Sequence, residues 1–177
     1  MTPALQQKLA RADALSFLKG QRTGVLATEF ESNPFASTVY YVTDDDFTIY
    51  FATRRNTAKY ANLAANSRVA FVVGAGPEHV SVQIRGRAET LAGQERARVR
   101  GALRRQKSRH DVIAFPLKNM DDFARGDDVI FKIVPSAIQF FNLDNRSLPN
   151  SLSRRYYMLT PQNKEAVTLE TAPSVSR

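Results

Sequence analysis

The spacing of apolar residues changes several times along the chain, and each change marks an element. Leu5, Leu9, Ala12 and Leu15 recur at helical spacing, with Phe17 and Leu18 near the end. Thr2 offers a capping hydroxyl, Pro3 suits the first helical position, and Gly20 stops the helix. The chain then reads as strands. Residues 24–28 form a short candidate, and residues 35–42, rich in aromatic and β-branched side chains, form a second. Phe47, Ile49 and Phe51 alternate with Thr48 and Tyr50, the period of a half-buried strand. Asp44, Asp45 and Asp46 make a polar turn, so the flanking strands pair as a hairpin.

A short helix is expected over residues 58–65, capped by Asn56 or Thr57 and ended by Asn66-Ser67. Residues 69–73 are a continuous apolar strand, and residues 74–78, with two glycines and a proline, are a turn. Val80, Val82 and Ile84 alternate with Ser81, Gln83 and Arg85, and Gly86 inside that strand predicts a bulge or a close backbone approach. Residues 94–107 form a basic helix, and residues 115–126 read as irregular with one helical turn. A strand over 129–134 is interrupted by Pro135 and resumes at 138–141. Residues 142–153 read as a loop, 156–159 as a last strand, and 161–177 as a polar tail, mobile or used in a partner contact. The pattern predicts one domain over residues 1–160, all-β or barrel-like with peripheral helices, followed by that tail.

Composition narrows the chemistry. A chain of 177 residues with 43% apolar and 24% charged side chains fits one ordinary globular domain. It has no cysteine, which excludes disulfides and cysteine-held metals. Its two histidines, His79 and His110, are too few and too far apart for a zinc site, and surface positions are expected for both. The Asp44–Asp46 turn lacks the spacing of a calcium loop. No apolar run approaches the roughly 20 residues that span a bilayer, and the first residues do not read as a signal peptide. A soluble, cytoplasmic protein without a membrane partner is expected. The net charge of +8 favours anionic partners.

The densest chemistry lies between Ile49 and Lys59. A strand leads into Thr53-Arg54-Arg55-Asn56-Thr57 and directly into a helix start. Such a start offers unpaired N–H groups and the positive end of the helix dipole, and phosphate binds well there. Thr53 and Thr57 add hydroxyls; Arg54, Arg55 and Lys59 add charge-assisted donors. The same pattern also fits a plain capped helix with solvated cations. Tyr40 and Tyr41 fit a core strand or a stacking platform, and Gln83 and Arg85 fit a solvated face or a ring edge across an interface. Arg96, Arg100 and Arg104 share one face of the basic helix, which suits a solvated surface; without interleaved aromatics, nucleic acid is the lesser reading.

Five segments in order then carry a resemblance: residues 34–42, 49–53, 57–63, 66–70 and 84–89. Together they are similar to the pyridoxamine 5′-phosphate oxidase-like split-barrel superfamily, over about residues 12–143. The resemblance implies a six-stranded split β-barrel with peripheral helices, a homodimer, and FMN at the dimer interface. It places Thr53, Thr57 and Lys59, assisted by Arg54, at the flavin phosphate, and Ser37, Thr38 and Val39 along the ring through backbone groups. Ser37 and Val42 stand where the family often carries an arginine and a lysine. The oxidase's C-terminal signature of tryptophan, arginine and histidine has no counterpart in residues 142–149, and the chain has no tryptophan. The expected function is therefore an FMN-dependent oxidoreductase of unidentified small-molecule substrate and not that oxidase itself. Deazaflavin is the alternative cofactor. The other readings are a flavin- or haem-binding dimer without turnover, and a nucleic-acid-associated protein using the basic helix.

Overall fold

The computed structural model describes residues 2–74, 79–108 (side chains through 105), 128–142 and 156–161. The expectations for residues 75–78, 109–127, 143–155 and 162–177, which include His110, the irregular 115–126 segment, most of the 142–153 loop and nearly all of the polar tail, lie outside the described residues. In chain order the elements are α1 (Pro3–Gly20), β1 (Thr23–Phe30), β2 (Asn33–Thr43), β3 (Ile49–Arg54), α2 (Ala58–Ala65), β4 (Arg68–Gly74), β5 (Val80–Thr90), α3 (Gly93–Ser108), β6 (Asp128–Asn142) and β7 (Tyr156–Leu159).

The strands form one antiparallel sheet in the order β3-β2-β1-β4-β5-β6-β7, and β3 also pairs with β6. That pairing closes six strands into a barrel, with β7 added along the far half of β6. Closure explains the burial pattern. On β4, on β5 from Val82 onward and on most of β1, inward residues are buried and outward ones are not, the period-2 signature of a sheet with one wet face. Leu26, Tyr41, Phe51, Phe71, Ile84, Ile133 and Phe140 fill the inside. Tyr41 and Phe71 meet edge-on at 5.1 Å, and Phe51 stacks on Phe131 at 5.5 Å.

Helix α1 packs Ala10, Ala14 and Leu18 onto the barrel. The buried Tyr41 hydroxyl donates to the Leu18 carbonyl at 2.7 Å, which also accepts from the Gln21 amide at the helix end, so barrel and helix share one acceptor. Burial pushes this phenol well above its ordinary pKa. Gln7 and Arg11 donate to the carbonyls of Met158 and Thr160, so α1 also holds β7.

Two expectations change. β3 is not half-buried: Tyr50 and Ile130 are covered by Leu91, Val99 and Leu103, because α3 lies on the outside of β3 and β6. The Tyr50 hydroxyl donates to Asp44 at 2.8 Å, and Arg98 forks onto the same carboxylate. Arg98, one of the basic residues of α3, thus clasps the hairpin. β6 is also continuous through Pro135. The β5–β6 register slips between Arg85 and Gly86, which face Ala137 and Pro135, so Ser136 is the extra residue. Proline is tolerated because a bulge needs no ladder bond there. Gly86 fits the expected close approach: a Cβ would lie 2.3 Å from the Val134 carbonyl oxygen.

Among the described residues, no helix is long and apolar enough to cross a membrane, and no cluster of three or more histidine, cysteine or acidic side chains is arranged to hold a metal.

Candidate functional site

The barrel opens along one seam. β2 pairs with β1 over residues 33–40, but it meets β3 only through Tyr41–Phe51, Val42–Tyr50 and Thr43–Ile49. Beyond Phe51, β3 leaves β2 and runs with β6, from Ala52–Ile130 to Arg54–Asp128. Residues 33–40 therefore keep one backbone edge without a strand partner among the described residues. That edge faces the departing end of β3, which leads through Arg55–Thr57 into α2. An open edge needs a ligand, a partner or water.

The far side of the seam is built by Thr57. Its hydroxyl accepts from the Tyr60 amide at 3.3 Å, the N-cap geometry, and lies 2.9 Å from both the Arg54 carbonyl and the Thr53 hydroxyl. Thr53 is buried, so the two hydroxyls form a fixed pair at the mouth of α2. Of the first-turn amides of α2, that of Tyr60 is taken by Thr57, and those of Ala58 and Lys59 stand where an α-helix supplies no acceptor. Lys59 stands on this first turn, half-buried, with no hydrogen bond or ion pair to any described residue. Burial lowers its ammonium pKa from the ordinary lysine value. Arg55 is committed elsewhere: it donates to the Tyr60 hydroxyl at 2.7 Å and lies over that ring. Arg54 is exposed, and across β3–β6 it stands in register with the buried Asp128.

On β2 the three expected ring-lining residues divide. Thr38 points outward and is exposed. Val39 points into the core and is 6% exposed, so only its backbone reaches the seam. Ser37 points inward as well, and its hydroxyl is buried without a partner among the described residues. Thr53, Thr57 and Lys59 come together at one helix start, with Ser37, Thr38 and Val39 on the strand across the seam. Of the two tyrosines, Tyr41 is core and Tyr40 is exposed on the outer face. His79 holds a left-handed conformation, φ 52°, just before β5, away from this cleft in the chain. A separate polar depression of about 410 Å³ lies at the β2–β3 turn, lined by Lys19, Thr43, Asp44, Asp45 and Asp46. It brings together none of the expected site residues.

The sequence reading missed the outer sheet face. The register aligns Thr38, Val25, Val72, Gln83, Gln139 and Met158 across six strands. Beside that row lie Ala36, Ala27, Ala70, Arg85 and Ala137. Val25 and Met158 are 43% and 44% exposed. Alternation along each strand signals an outward face, but only the register reveals that small and apolar residues of five strands coincide there, with Gln83 and Arg85 of β5 among them.

These features define a split-barrel protein whose seam ends in a cation and hydroxyls at a helix start, a cleft suited to a phosphate. Residues 11–142 match the family model described as pyridoxamine 5′-phosphate oxidase, and the chain belongs to that family. Solved structures share the fold. A pyridoxamine 5′-phosphate oxidase-type protein from Listeria innocua is 21% identical, with a TM-score of 0.58, over 75% of this chain and 98% of its own. An FAD-binding protein from Mesorhizobium loti is 22% identical, with a TM-score of 0.55, over 72% of this chain and 90% of its own. A haem-binding protein from Mycobacterium smegmatis is 19% identical, with a TM-score of 0.60, over 86% of this chain and 58% of its own. A search of the curated proteins gave no significant match.

Proposed function

We propose that the chain is an FMN-dependent oxidoreductase acting on a small molecule, with the flavin held at a homodimer interface. The carrying observation is Lys59: a half-buried cation with no partner among the described residues, on the first turn of a helix whose N-cap is paired to Thr53. Holding an unpaired ammonium partly out of water costs free energy, and a bound phosphate offsets that cost. The residues fit the cofactor's phosphate in type and placement. Thr53 and Thr57 supply hydroxyls, Lys59 supplies charge, and the α2 amides supply backbone donors. Arg54 stands at the outer rim as a further cation. Thr38 and the backbone of Ser37 and Val39 line the open β2 edge, where the flavin ring would lie. The buried Ser37 hydroxyl is a further unspent polar group on that strand.

When bound, FMN supplies hydride acceptance and donation. The chain's own part is to fix the phosphate, present the β2 edge and keep water out. In the outer row the exposed Val25 and Met158 and the half-buried Val72 support the second copy, because apolar side chains on an outer sheet face favour a partner. Solubility in the cytoplasm is consistent with this reading.

Equilibrium dialysis with FMN and with riboflavin, which lacks the phosphate, tests the proposal. FMN should bind at least about tenfold tighter to the wild-type protein, and Lys59→Ala should erase most of the difference. Equal affinity for the two ligands in the wild type would reject the phosphate site.

A second reading, a flavin or haem carrier without turnover, is favoured by Ser37 and Val42, which leave the β2 edge without a cation. Reduction of the bound flavin by a reduced nicotinamide under anaerobic conditions separates the two: reduction within seconds supports the oxidoreductase, and none supports the carrier. Deazaflavin in place of FMN would give the same outcome with a different absorption band.

A further inference from the structure

We propose that Arg68, Arg85 and Arg87 form a second anion site that takes a phosphoryl group, separate from the Thr53–Lys59 turn and independent of the flavin reading. Arg68 and Arg87 stand directly opposite each other in the β4–β5 register, and Arg85 faces Ala70 in the next outward row. All three are exposed on the outer face of the sheet, with Arg85 at the border of the Val25–Val72 row proposed for the second copy and Arg68 and Arg87 one row further away. Like charges directly opposite on a sheet are destabilising. No carboxylate among the described residues relieves them. Glu29 accepts from the Ser32 amide and the Asn66 side chain, and Glu89 pairs with Lys132 at 3.4 Å. The side chains of Arg68 and Arg85 make no hydrogen bond or ion pair to described residues. That of Arg87 makes one long contact, 3.4 Å, to the Ser67 hydroxyl.

The local backbone is shaped for this cluster. The β5–β6 bulge falls beside Arg85, and the exposed Ser136 donates to the Arg85 carbonyl at 3.1 Å. Bulges bend a strand and re-aim the side chains next to it. Three guanidiniums, each a planar fork of donors, flanked by two hydroxyls, match the oxygens of a phosphate or pyrophosphate. α2 begins at the Thr57 cleft and ends beside Arg68, so the two sites stand one short helix apart, about 12 Å. The phosphoryl group can therefore belong to a cofactor larger than FMN or to a separate phosphorylated substrate.

The test is calorimetric titration of inorganic pyrophosphate into the full-length protein and three variants. The wild type and Lys59→Ala should both bind saturably at this site. Arg85→Gln with Arg87→Gln should weaken binding at least about tenfold. Arg104→Gln with Arg105→Gln, the same charge loss on α3, should leave it within about twofold. Equal loss in the α3 control would reduce the effect to net charge and overturn the site, as would absence of saturable binding in Lys59→Ala. Melting guards against misfolding: the Arg85/Arg87 variant should melt no lower than the wild type, and pyrophosphate should raise the midpoint of the wild type, of Lys59→Ala and of the Arg104/Arg105 variant but not of the Arg85/Arg87 variant. A source in the cofactor predicts FAD binding tighter than FMN, with the gap closed in the Arg85/Arg87 variant. A source in the substrate predicts equal FAD and FMN affinity with pyrophosphate still binding beside FMN. Failure of FMN to bind, with pyrophosphate binding intact, would reject the flavin reading and leave this site standing.

Discussion

At the residue scale, Lys59 and Thr57 carry the site and make separable predictions. Burial depresses the Lys59 ammonium pKa, so above the folded value the unfolded chain binds the proton more tightly. Charged Lys59 thus costs stability in full below its lowered folded pKa, and that cost is relieved as pH rises from there to the ordinary lysine value of the unfolded chain. A phosphate ligand reverses the sign by favouring the charged form. FMN affinity should therefore fall at a pH below that expected of an ordinary lysine, and Lys59→Arg should move the fall upward; a pH profile of FMN dissociation reads both. Thr57→Ala removes the α2 cap and should cost about 1 kcal/mol in urea unfolding, whereas Thr57→Ser should cost little. The strand–turn–helix pattern was legible from residue types alone because capping and phosphate chemistry are local. The inward direction of Ser37 and Val39 was not, because strand parity is set by pairing with β1. Nor was the commitment of Arg55 to Tyr60, which depends on where the helix turns.

At the element scale, most strands and all three helices were legible from period and punctuation, including the Asp44–Asp46 hairpin and the last strand. The exceptions share one cause. β3 reads as half-buried and β6 as broken because alternation reports a single sheet face, while α3 covers the other face of both strands and a bulge absorbs Pro135. Leu103→Ala should cost about 2–3 kcal/mol by uncovering Tyr50 and Ile130, measured by chemical denaturation. The Arg98–Asp44 fork is exposed, with side chains 57% and 41% accessible, so breaking it should change stability little. Gly86→Ala should be far worse than either. Its Cβ would meet the backbone oxygen of Val134 at 2.3 Å, and a carbonyl held in a sheet has no room to retreat. Loss of soluble, cooperatively melting protein is the expected result.

At the scale of the whole molecule, closure of β3 onto β6 leaves one seam and one outer face, and the proposed function uses both. The barrel was legible as a fold class through strand content and ordered motifs. The outer face was not, because Val25, Val72 and Met158 are distant in sequence and align only through register. If a second copy seats there, Val25→Glu should give a monomer in sedimentation equilibrium and lose flavin along with dimerisation; a dimer that persists would place the interface elsewhere. The central claim, a flavin held in the seam by its phosphate, is tested most directly by the visible absorption spectrum of the purified protein before and after FMN loading and desalting. A retained flavin spectrum, lost in Lys59→Ala, is the predicted result; a colourless protein that keeps no FMN after desalting would contradict it.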